Sequence, residues 1–343
     1  MTNPPVAGPI AGEAEKEAAE EQGLRPRKRR KISTGEGRLA FYLVAPTVVM
    51  LAIIVGYPIV KAIIASFRKD PGLNKATGFF NAGGGFAGFD NYKEWILQQC
   101  AAAGGRTVKC PPGTLASEFW QSVGFTVGVT VVTVAIEAVL GMIMALMMNQ
   151  AFRGRGLVRA AILVPWAIPT AVVAKLWGVV YDPHGVFNKI LGTHFQWTTE
   201  KWPARAAIVL SDVWKTTPFI ALLILAGLQG ISADLYESAR VDGASAWQRF
   251  WRITLPLVKP AFAVAVIFRT MDVLRMYDLP YILTGGANGT TTLSILVVRK
   301  IQAGGLNSAS ALSTITFVFI FACAFLLVKV LGANIMPKAE RKR

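Results

Sequence analysis

The segment that decides the fold reads Glu237-Ser-Ala-Arg-Val-Asp-Gly243-Ala-Ser-Ala-Trp-Gln-Arg-Phe-Trp-Arg-Ile-Thr-Leu-Pro256 and lies between two long apolar stretches. Its acidic and basic residues alternate with Ala, Val, Trp and Phe at helical spacing, which is typical of an amphipathic helix. Gly243 permits a break in the helix or a close backbone approach, and Pro256 ends the segment before the next apolar run. A solvated linker does not need so many bulky apolar residues. We therefore expect a docking surface in a loop between membrane spans.

The composition around this segment is that of a membrane protein. The 343 residues are 53% hydrophobic and 16% charged, with a mean hydropathy of +0.45. A membrane-spanning helix needs about 20 apolar residues, and the chain contains six blocks of sufficient length. These blocks are Leu39–Ala62, Gln121–Met148, Leu157–Tyr181, Ala206–Leu228, Leu257–Leu283 and Ala309–Ile335. The sequence predicts an all-α membrane protein with six transmembrane helices and both termini on one side.

The apolar blocks divide the chain into three regions. Residues 1–37 are rich in Ala, Glu, Gly and Pro and then basic, so we expect a disordered cytoplasmic N-terminal tail. Residues 38–336 form the predicted six-span domain, with a first extracytoplasmic loop at 67–120 and a cytoplasmic loop at 231–256. Residues 337–343 are a basic cytoplasmic tail. The first apolar run is too long for the h-region of a signal peptide, so we expect it to remain in the mature protein.

The net charge of +16 indicates topology rather than nucleic-acid binding. Basic clusters precede the first span, separate spans two and three, accompany residues 237–256 and close the chain. All of them share one face if the N-terminus is cytoplasmic, as the positive-inside rule requires. The first outer loop is also basic, but long loops count less in setting orientation. We expect a multi-pass protein of the plasma membrane.

Known catalytic and metal-binding motifs are absent from the sequence. It contains no P-loop, no Gly-x-Ser-x-Gly and no His-Glu-x-x-His, and only two histidines. We therefore expect neither enzymatic activity nor a metal site. Cys100 and Cys110 share the first outer loop, where an oxidising environment would permit a disulfide. Two free thiols are equally compatible with this spacing.

The fifth apolar block contains charged residues that a lipid-facing helix would not tolerate. Its central part reads Phe268-Arg-Thr-Met-Asp-Val-Leu-Arg275. Charges inside a bilayer are costly, and those that persist usually face a cavity or each other. Asp272 and Arg275 share a helix face and could pair, while Arg269 and Asp278 extend the series along the same predicted helix. A structural ion pair is the alternative, but the pattern favours a polar lining for a hydrophilic solute path.

A second polar set lies at the fourth block. Asp212, Thr216 and Phe219 fall at helical spacing on one side of a helix. A carboxylate, a hydroxyl and an aromatic ring together suit a sugar, whose hydroxyls form hydrogen bonds while its apolar face stacks. The alternative is an N-capping Asp212 beside an interfacial Trp214. Glu137, in the second block, would bind a neighbouring Trp or Thr or lie near a water-filled region.

Residues 237–256 resemble the EAA loop of permease subunits in binding-protein-dependent ABC importers. The family pattern is Glu-Ala-Ala, a following Gly and then Ile-x-Leu-Pro. Here Glu237-Ser-Ala239, Gly243 and Ile253-Thr-Leu-Pro256 depart from it only at Ser238. The flanking residues resemble the carbohydrate branch, specifically the maltose-type larger permease. The resemblance covers roughly residues 38–335 and implies the type I ABC importer permease fold.

This resemblance implies a set of partners for the chain. They are a second homologous permease, a dimer of ATPase subunits, an extracytoplasmic sugar-binding protein, the sugar and membrane lipid. ATP and Mg would be bound by the ATPase, so this chain itself would hold no cofactor. The loop would form a coupling helix seated in the ATPase and drive alternating access. The implied coupling residues are Glu237, Ala239, Asp242, Gly243, Ile253, Leu255 and Pro256.

The resemblance also implies sugar-contacting positions. They are Asp212, Thr216, Phe219, Phe268, Met271, Asp272 and Arg275. The maltose-type pattern has Asn where this chain has Asp212, Asp272 and Arg275, which argues against maltose itself. Val-Trp-Lys-Thr-Thr-Pro-Phe and Phe-Arg-Thr-Met-Asp-Val-Leu-Arg look closest to trehalose-importer permeases, so we expect a disaccharide such as trehalose.

Two other functions are compatible with parts of the sequence. An ion-coupled secondary sugar transporter would use Glu137, Asp272 or Asp278 for proton coupling and would show an internal repeat. A membrane enzyme acting on lipid-linked sugars would need clustered charged residues at the interface beside a reactive group. Neither has a reason to carry the coupling-loop pattern.

Overall fold

The computed structural model describes residues 34–71, 84–101 and 107–332. Residues 1–33 of the predicted N-terminal tail and the predicted basic tail at 337–343 lie outside them. The chain divides into two units, residues 1–59 and 60–343. In the first unit, α1 (Thr34–Leu51) continues through a π-helical segment, Ala52–Gly56, into the start of α2.

The second unit is built almost entirely from helices. Its described helices, in chain order, are α2 (Tyr57–Ser66, of which residues 60–66 lie in this unit), α3 (Asp90–Ile96), α4 (Phe119–Asn149), α5 (Arg155–Ala167), α6 (Thr170–Val180), α7 (Val186–Leu191), α8 (Lys201–Gln229), α9 (Ala233–Val241), α10 (Ala246–Arg249), α11 (Leu255–Leu274), α12 (Asp278–Thr284), α13 (Leu293–Gln302) and α14 (Leu306–Gly332). A 3-10 turn, Leu115–Glu118, leads into α4, and a π-helical segment, Phe250–Thr254, joins α10 to α11.

In the part of the chain that the structure describes, four helical stretches are long and apolar enough to cross a membrane. They are Phe41–Ser66, Leu115–Asn149, Lys201–Gln229 and Leu306–Leu331. The third predicted block is divided into α5 and α6, which meet at 92° and together could form one further span. Ile168 between them has an extended backbone (ψ 133°), because the ring of Pro169 disfavours the helical conformation in the residue before it.

The fifth block differs from the prediction of one continuous span. α11 ends at Leu274, and Asp278 lies in the first turn of the separate helix α12. Asp278 therefore does not continue the charged series of α11, and its carboxylate is favourably placed at a helix N-terminus. With 20 residues, α11 is about 30 Å long. It carries three charges, Lys259, Arg269 and Asp272, so the total of six spans stays a prediction.

The core of the second unit is formed where α4, α8 and α11 pack together. Two glycines allow this close approach, because a Cβ added to Gly141 would lie 2.6 Å from Ile220 Cγ2 and one added to Gly227 would collide with Ala261. Small residues at such crossings bring membrane helices into direct backbone contact. The crossing positions the polar residues of all three helices at one place.

The predicted first outer loop contains a small hairpin closed by a disulfide. Strands β1 (Gln99–Ala101) and β2 (Thr107–Lys109) pair antiparallel. A disulfide joins Cys100 to Cys110, whose Cα atoms are 4.9 Å apart.

Alkylation of the denatured protein tests the disulfide. Without reductant we expect one labelled cysteine, Cys323, because the other two are bonded to each other. After reduction all three should react. A Cys323→Ser variant, used as a control, should show no label before reduction. Three labels without reductant would contradict the disulfide.

Candidate functional site

A buried arginine lies at the crossing of α4, α8 and α11. Arg269, on α11, is only 2% exposed. Its Nε donates to Glu137 Oε2 at 2.7 Å and its Nη2 to Glu137 Oε1 at 3.1 Å. Nη2 also donates to Asp212 Oδ2, and Nη1 donates to Asp272 Oδ2. One guanidinium therefore joins carboxylates from three helices.

Thr216 completes this group, which we call the Arg269 cluster: Arg269, Glu137, Asp212, Asp272 and Thr216. The Thr216 hydroxyl contacts Glu137 Oε1 and lies 2.6 Å from the carbonyl oxygen of Asp212. Three carboxyl groups thus face one guanidinium in this cluster. Within the described residues, no group of His, Cys, Asp and Glu is arranged to hold a metal ion.

The partners in this cluster correct two interpretations of the sequence. The suggested pair of Asp272 with Arg275 is not formed, since Asp272 binds Arg269 and Arg275 lies just past the end of α11 with its Nε 3.3 Å from Met271 O. Asp212 is not an N-cap either, because α8 begins at Lys201 and Asp212 lies well inside it. For Glu137, the structure selects the contact with a neighbouring Thr and adds the arginine.

Two adjoining cavities meet at the Arg269 cluster. The first, of about 300 Å³, is lined by Trp166, Thr216, Phe219, Phe268, Arg269, Met271, Asp272 and Arg275. The second, of about 350 Å³, is lined by Thr170, Asp212, Lys215, Thr216, Arg269, Asp272, Arg275, Met276, Tyr277, Asp278 and Leu279. Together these walls include all seven residues that the resemblance implied for sugar contact. We call the two cavities the polar path.

The polar path combines aromatic surfaces with charged hydrogen-bonding groups. Trp166 stacks on Phe219 with ring centroids 5.8 Å apart and planes at 22°, and Phe268 is largely exposed. Carboxylates accept hydrogen bonds, while guanidinium and ammonium groups donate them. Flat apolar faces beside both kinds of group suit a polyhydroxylated ring.

Sequence reasoning missed several lining residues of the polar path, among them Trp166, Lys215 and Arg269. Trp166 comes from α5, and its position between two prolines in Val-Pro-Trp-Ala-Ile-Pro was the available signal. Lys215 is 9% exposed and lies beside Asp212 and Thr216 on α8. Arg269 was noted as a charge but not as a wall of both cavities.

Residues 231–256, which we call the coupling segment after the role that the resemblance implies, form two short helices outside this core, α9 and α10. Ser232 caps α9, and Ser245 forms a reciprocal capping box with Gln248 at the start of α10. Gly243 between them has φ +78°, and a Cβ there would meet nothing within 4 Å. Of the two roles expected for this glycine, the structure therefore shows the break, since a left-handed backbone favours glycine even in open space.

The coupling segment presents apolar side chains to the surroundings. Val241 is 89% exposed and Trp247 70%, and Leu235 and Trp251 are also exposed. Of the implied coupling residues, Glu237, Asp242, Gly243 and Pro256 are exposed, while Ala239, Ile253 and Leu255 are half-buried. The Tyr236 hydroxyl lies 3.0 Å from Thr254 Oγ1, which ties α9 to the base of α11. The segment is thus anchored to the start of α11, and within the described residues its apolar side chains stay exposed.

Comparison with known protein families identifies the chain. Residues 137–341 match the model of the family described as the binding-protein-dependent transport system inner membrane component, which is more than half of the sequence. The chain belongs to this family. The resemblance that the residues at 237–256 carry is confirmed, and so is the expectation of a membrane-spanning permease subunit.

Relatives and solved structures agree with this assignment. The trehalose/maltose transport system permease protein MalF of Thermococcus litoralis is 37% identical over 88% of this chain and 96% of its own length. The trehalose transport system permease protein SugA of Mycobacterium tuberculosis is 37% identical over 87% of this chain and 90% of its own. These relatives are named as transport permease proteins and not as enzymes, in agreement with the prediction from the sequence.

The fold is matched by a bacterial ABC transporter involved in the import of the acidic polysaccharide alginate. That crystal structure superposes with a TM-score of 0.69 at 22% identity, over 86% of this chain and 95% of the other. The expected all-helical importer permease fold is confirmed.

Proposed function

We propose that this chain is the membrane-spanning subunit of an ATP-driven sugar importer and forms half of its translocation path. The observation that carries the proposal is the polar path at the crossing of α4, α8 and α11. Charged acceptors and donors beside stacked aromatic rings cost free energy between membrane helices, and we expect them there only where a hydrophilic solute binds.

The substrate we propose is a disaccharide such as trehalose, contacted by Asp212, Thr216, Phe219, Phe268, Met271, Asp272 and Arg275. Two relatives that are named for trehalose or for trehalose and maltose support it. The adjoining cavities also offer two sets of polar groups, as two linked rings would need.

The coupling segment supports the proposed partners. An exposed apolar surface fixed to the start of α11 suits docking of an ATPase subunit, which would bind ATP and Mg in place of this chain. A second homologous permease would complete the path and an extracytoplasmic protein would deliver the sugar. ATP binding would then change the path from inward-facing to outward-facing. Both termini of this chain would be cytoplasmic.

An ion-coupled secondary transporter is less well supported. Proton coupling requires a carboxylate that exchanges its proton with water during transport. Glu137 is fully buried and held by two bonds from Arg269, and Asp272 is paired with the same cation. Membership in a binding-protein-dependent family also points to an external energy source.

Substitution of the exposed polar residues of the path is expected to weaken sugar uptake. Asp272→Ala and Arg275→Ala should each raise the KM for sugar about tenfold or more, because a hydrogen bond to a charged group contributes about 1.5–3 kcal/mol. Both side chains are exposed, so the complexes should still assemble. Arg153→Ala, outside both cavities, serves as the control. Unchanged KM in both assembled variants would contradict the assignment.

Purification with co-expressed partners tests the proposed assembly. We expect two copies of an ATPase and one different permease to accompany this chain, and ATP hydrolysis to rise when sugar and the binding protein are added. Recovery of the chain without an ATPase, or hydrolysis indifferent to sugar, would contradict the proposal.

A further inference from the structure

Glu137 stands apart from the other acidic residues of the Arg269 cluster. It is fully buried and does not line either cavity of the polar path. It therefore cannot contact a solute there. Yet it makes two of the four hydrogen bonds that Arg269 donates to carboxylates.

The geometry of these bonds fixes the plane of the guanidinium. Arginine presents its donors in a rigid planar fork that matches a carboxylate with two parallel bonds. Glu137 receives that fork through Nε and Nη2. Nη1 and the remaining hydrogen of Nη2 are then directed to Asp272 and Asp212, one bond each.

This division leaves acceptor capacity at the cavity wall. Arg269 reaches both aspartates through Oδ2, and in the described part of the chain no hydrogen bond is found to Oδ1 of either. An arginine free of Glu137 could instead turn its fork onto one aspartate and occupy both of its oxygens. The anchored arginine cannot do so.

We propose that Glu137 is a positioning residue for solute recognition. By holding Arg269 in two bonds, it keeps one carboxylate oxygen of Asp212 and one of Asp272 available to accept hydroxyl groups of the sugar. The inference rests on the proposed function, since it specifies how the same site recognises its solute. Glu137 itself lines neither cavity, so a map of the contacts between the chain and the sugar would not identify its role.

Glu137→Gln tests this role because it keeps the size of the side chain and its contact with Thr216. The amide oxygen can accept one bond from Arg269 but the amide NH2 accepts none, so the two-bond fork that fixes the guanidinium is lost. In complexes that assemble normally, the KM for sugar should rise about tenfold with turnover at saturating sugar retained. Glu94→Gln is the matched control, since Glu94 also pairs with a cation, Lys300 at 2.6 Å, but lies outside the polar path.

Deoxygenated sugars separate positioning from mere stability. In the wild type, a sugar lacking a hydroxyl that binds Asp212 or Asp272 should bind about tenfold more weakly. In Glu137→Gln this loss of affinity, which we call the deoxy penalty, should be smaller, because Arg269 already occupies the aspartate oxygen that would accept from the hydroxyl. If Glu137 had only a structural role, its substitution would instead lower the yield of complex and leave both the KM for sugar and the deoxy penalty unchanged.

Glu137→Asp keeps the inference testable if the glutamine variant does not assemble. It retains the buried charge but is one methylene shorter and cannot hold both nitrogens, so we expect the same rise in KM. Wild-type KM and an undiminished deoxy penalty in either assembled variant would overturn the inference. A wild type that shows no sugar-dependent activity would instead overturn the proposed function.

Discussion

Replacement of Arg269 by leucine is expected to abolish the assembled complex. The substitution leaves Glu137 and Asp212 buried without the cation that binds them both, because the guanidinium is their common partner. Breaking a buried ion pair from one side costs about 3–5 kcal/mol, a large part of the ~5–15 kcal/mol that stabilises a typical domain. Size-exclusion chromatography and thermal unfolding of the detergent-solubilised complex provide the measurement.

The control for this prediction is Arg153→Leu. Arg153 is exposed and forms none of the ion pairs found in the described residues, so its loss should change the yield and melting temperature little. If the Arg269→Leu variant gave wild-type yield and wild-type uptake, the Arg269 cluster would not be essential to the fold.

Gly243→Val is expected to uncouple ATP hydrolysis from transport. The left-handed backbone at φ +78° costs a non-glycine residue about 1–2 kcal/mol, and more for a β-branched side chain. Relief of that strain would shift α9 against α10 and distort the surface that we propose docks on the ATPase. We expect sugar uptake to fall at least tenfold, measured in membrane vesicles alongside retention of the ATPase on purification.

Gly243→Asn provides a control at the same position. Asparagine adopts the left-handed conformation more readily than valine, and the added side chain meets open space at this site. Uptake close to wild type is therefore expected for Asn. Equal activity of the valine and asparagine variants would contradict the role given to the backbone conformation.

The sequence predicted the lining of the polar path better than its internal bonds. Asp212, Thr216 and Phe219 share a helix face because the 3.6-residue period determines which side chains point together, and the structure brings all three to the path. The partner of Asp272 was misjudged because Arg269 and Arg275 are both three residues away in the sequence, and the helix ends before Arg275. Arg269 is instead fixed by Glu137, which lies far away in the chain.

Breaks in the helices were the other feature that apolar patterning could not give. The fifth block was predicted to continue to Leu283, but α11 ends at Leu274 and a new helix begins at Asp278. Hydropathy measures composition and not direction, so it gives no sign of the 92° turn between α5 and α6. The sequence signal for that turn is the pair Pro165 and Pro169, which predicts a kink in the third block. That turn accompanies the placement of Trp166, from the end of α5, against Phe219.

Uptake of labelled trehalose into proteoliposomes tests the central claim most directly. The complex is reconstituted with its binding protein outside and ATP either sealed inside or omitted, with and without ionophores that dissipate ion gradients. We predict uptake that requires internal ATP and is unaffected by ionophores. Uptake that proceeds without ATP and collapses when ionophores are added would contradict the account and favour an ion-coupled carrier.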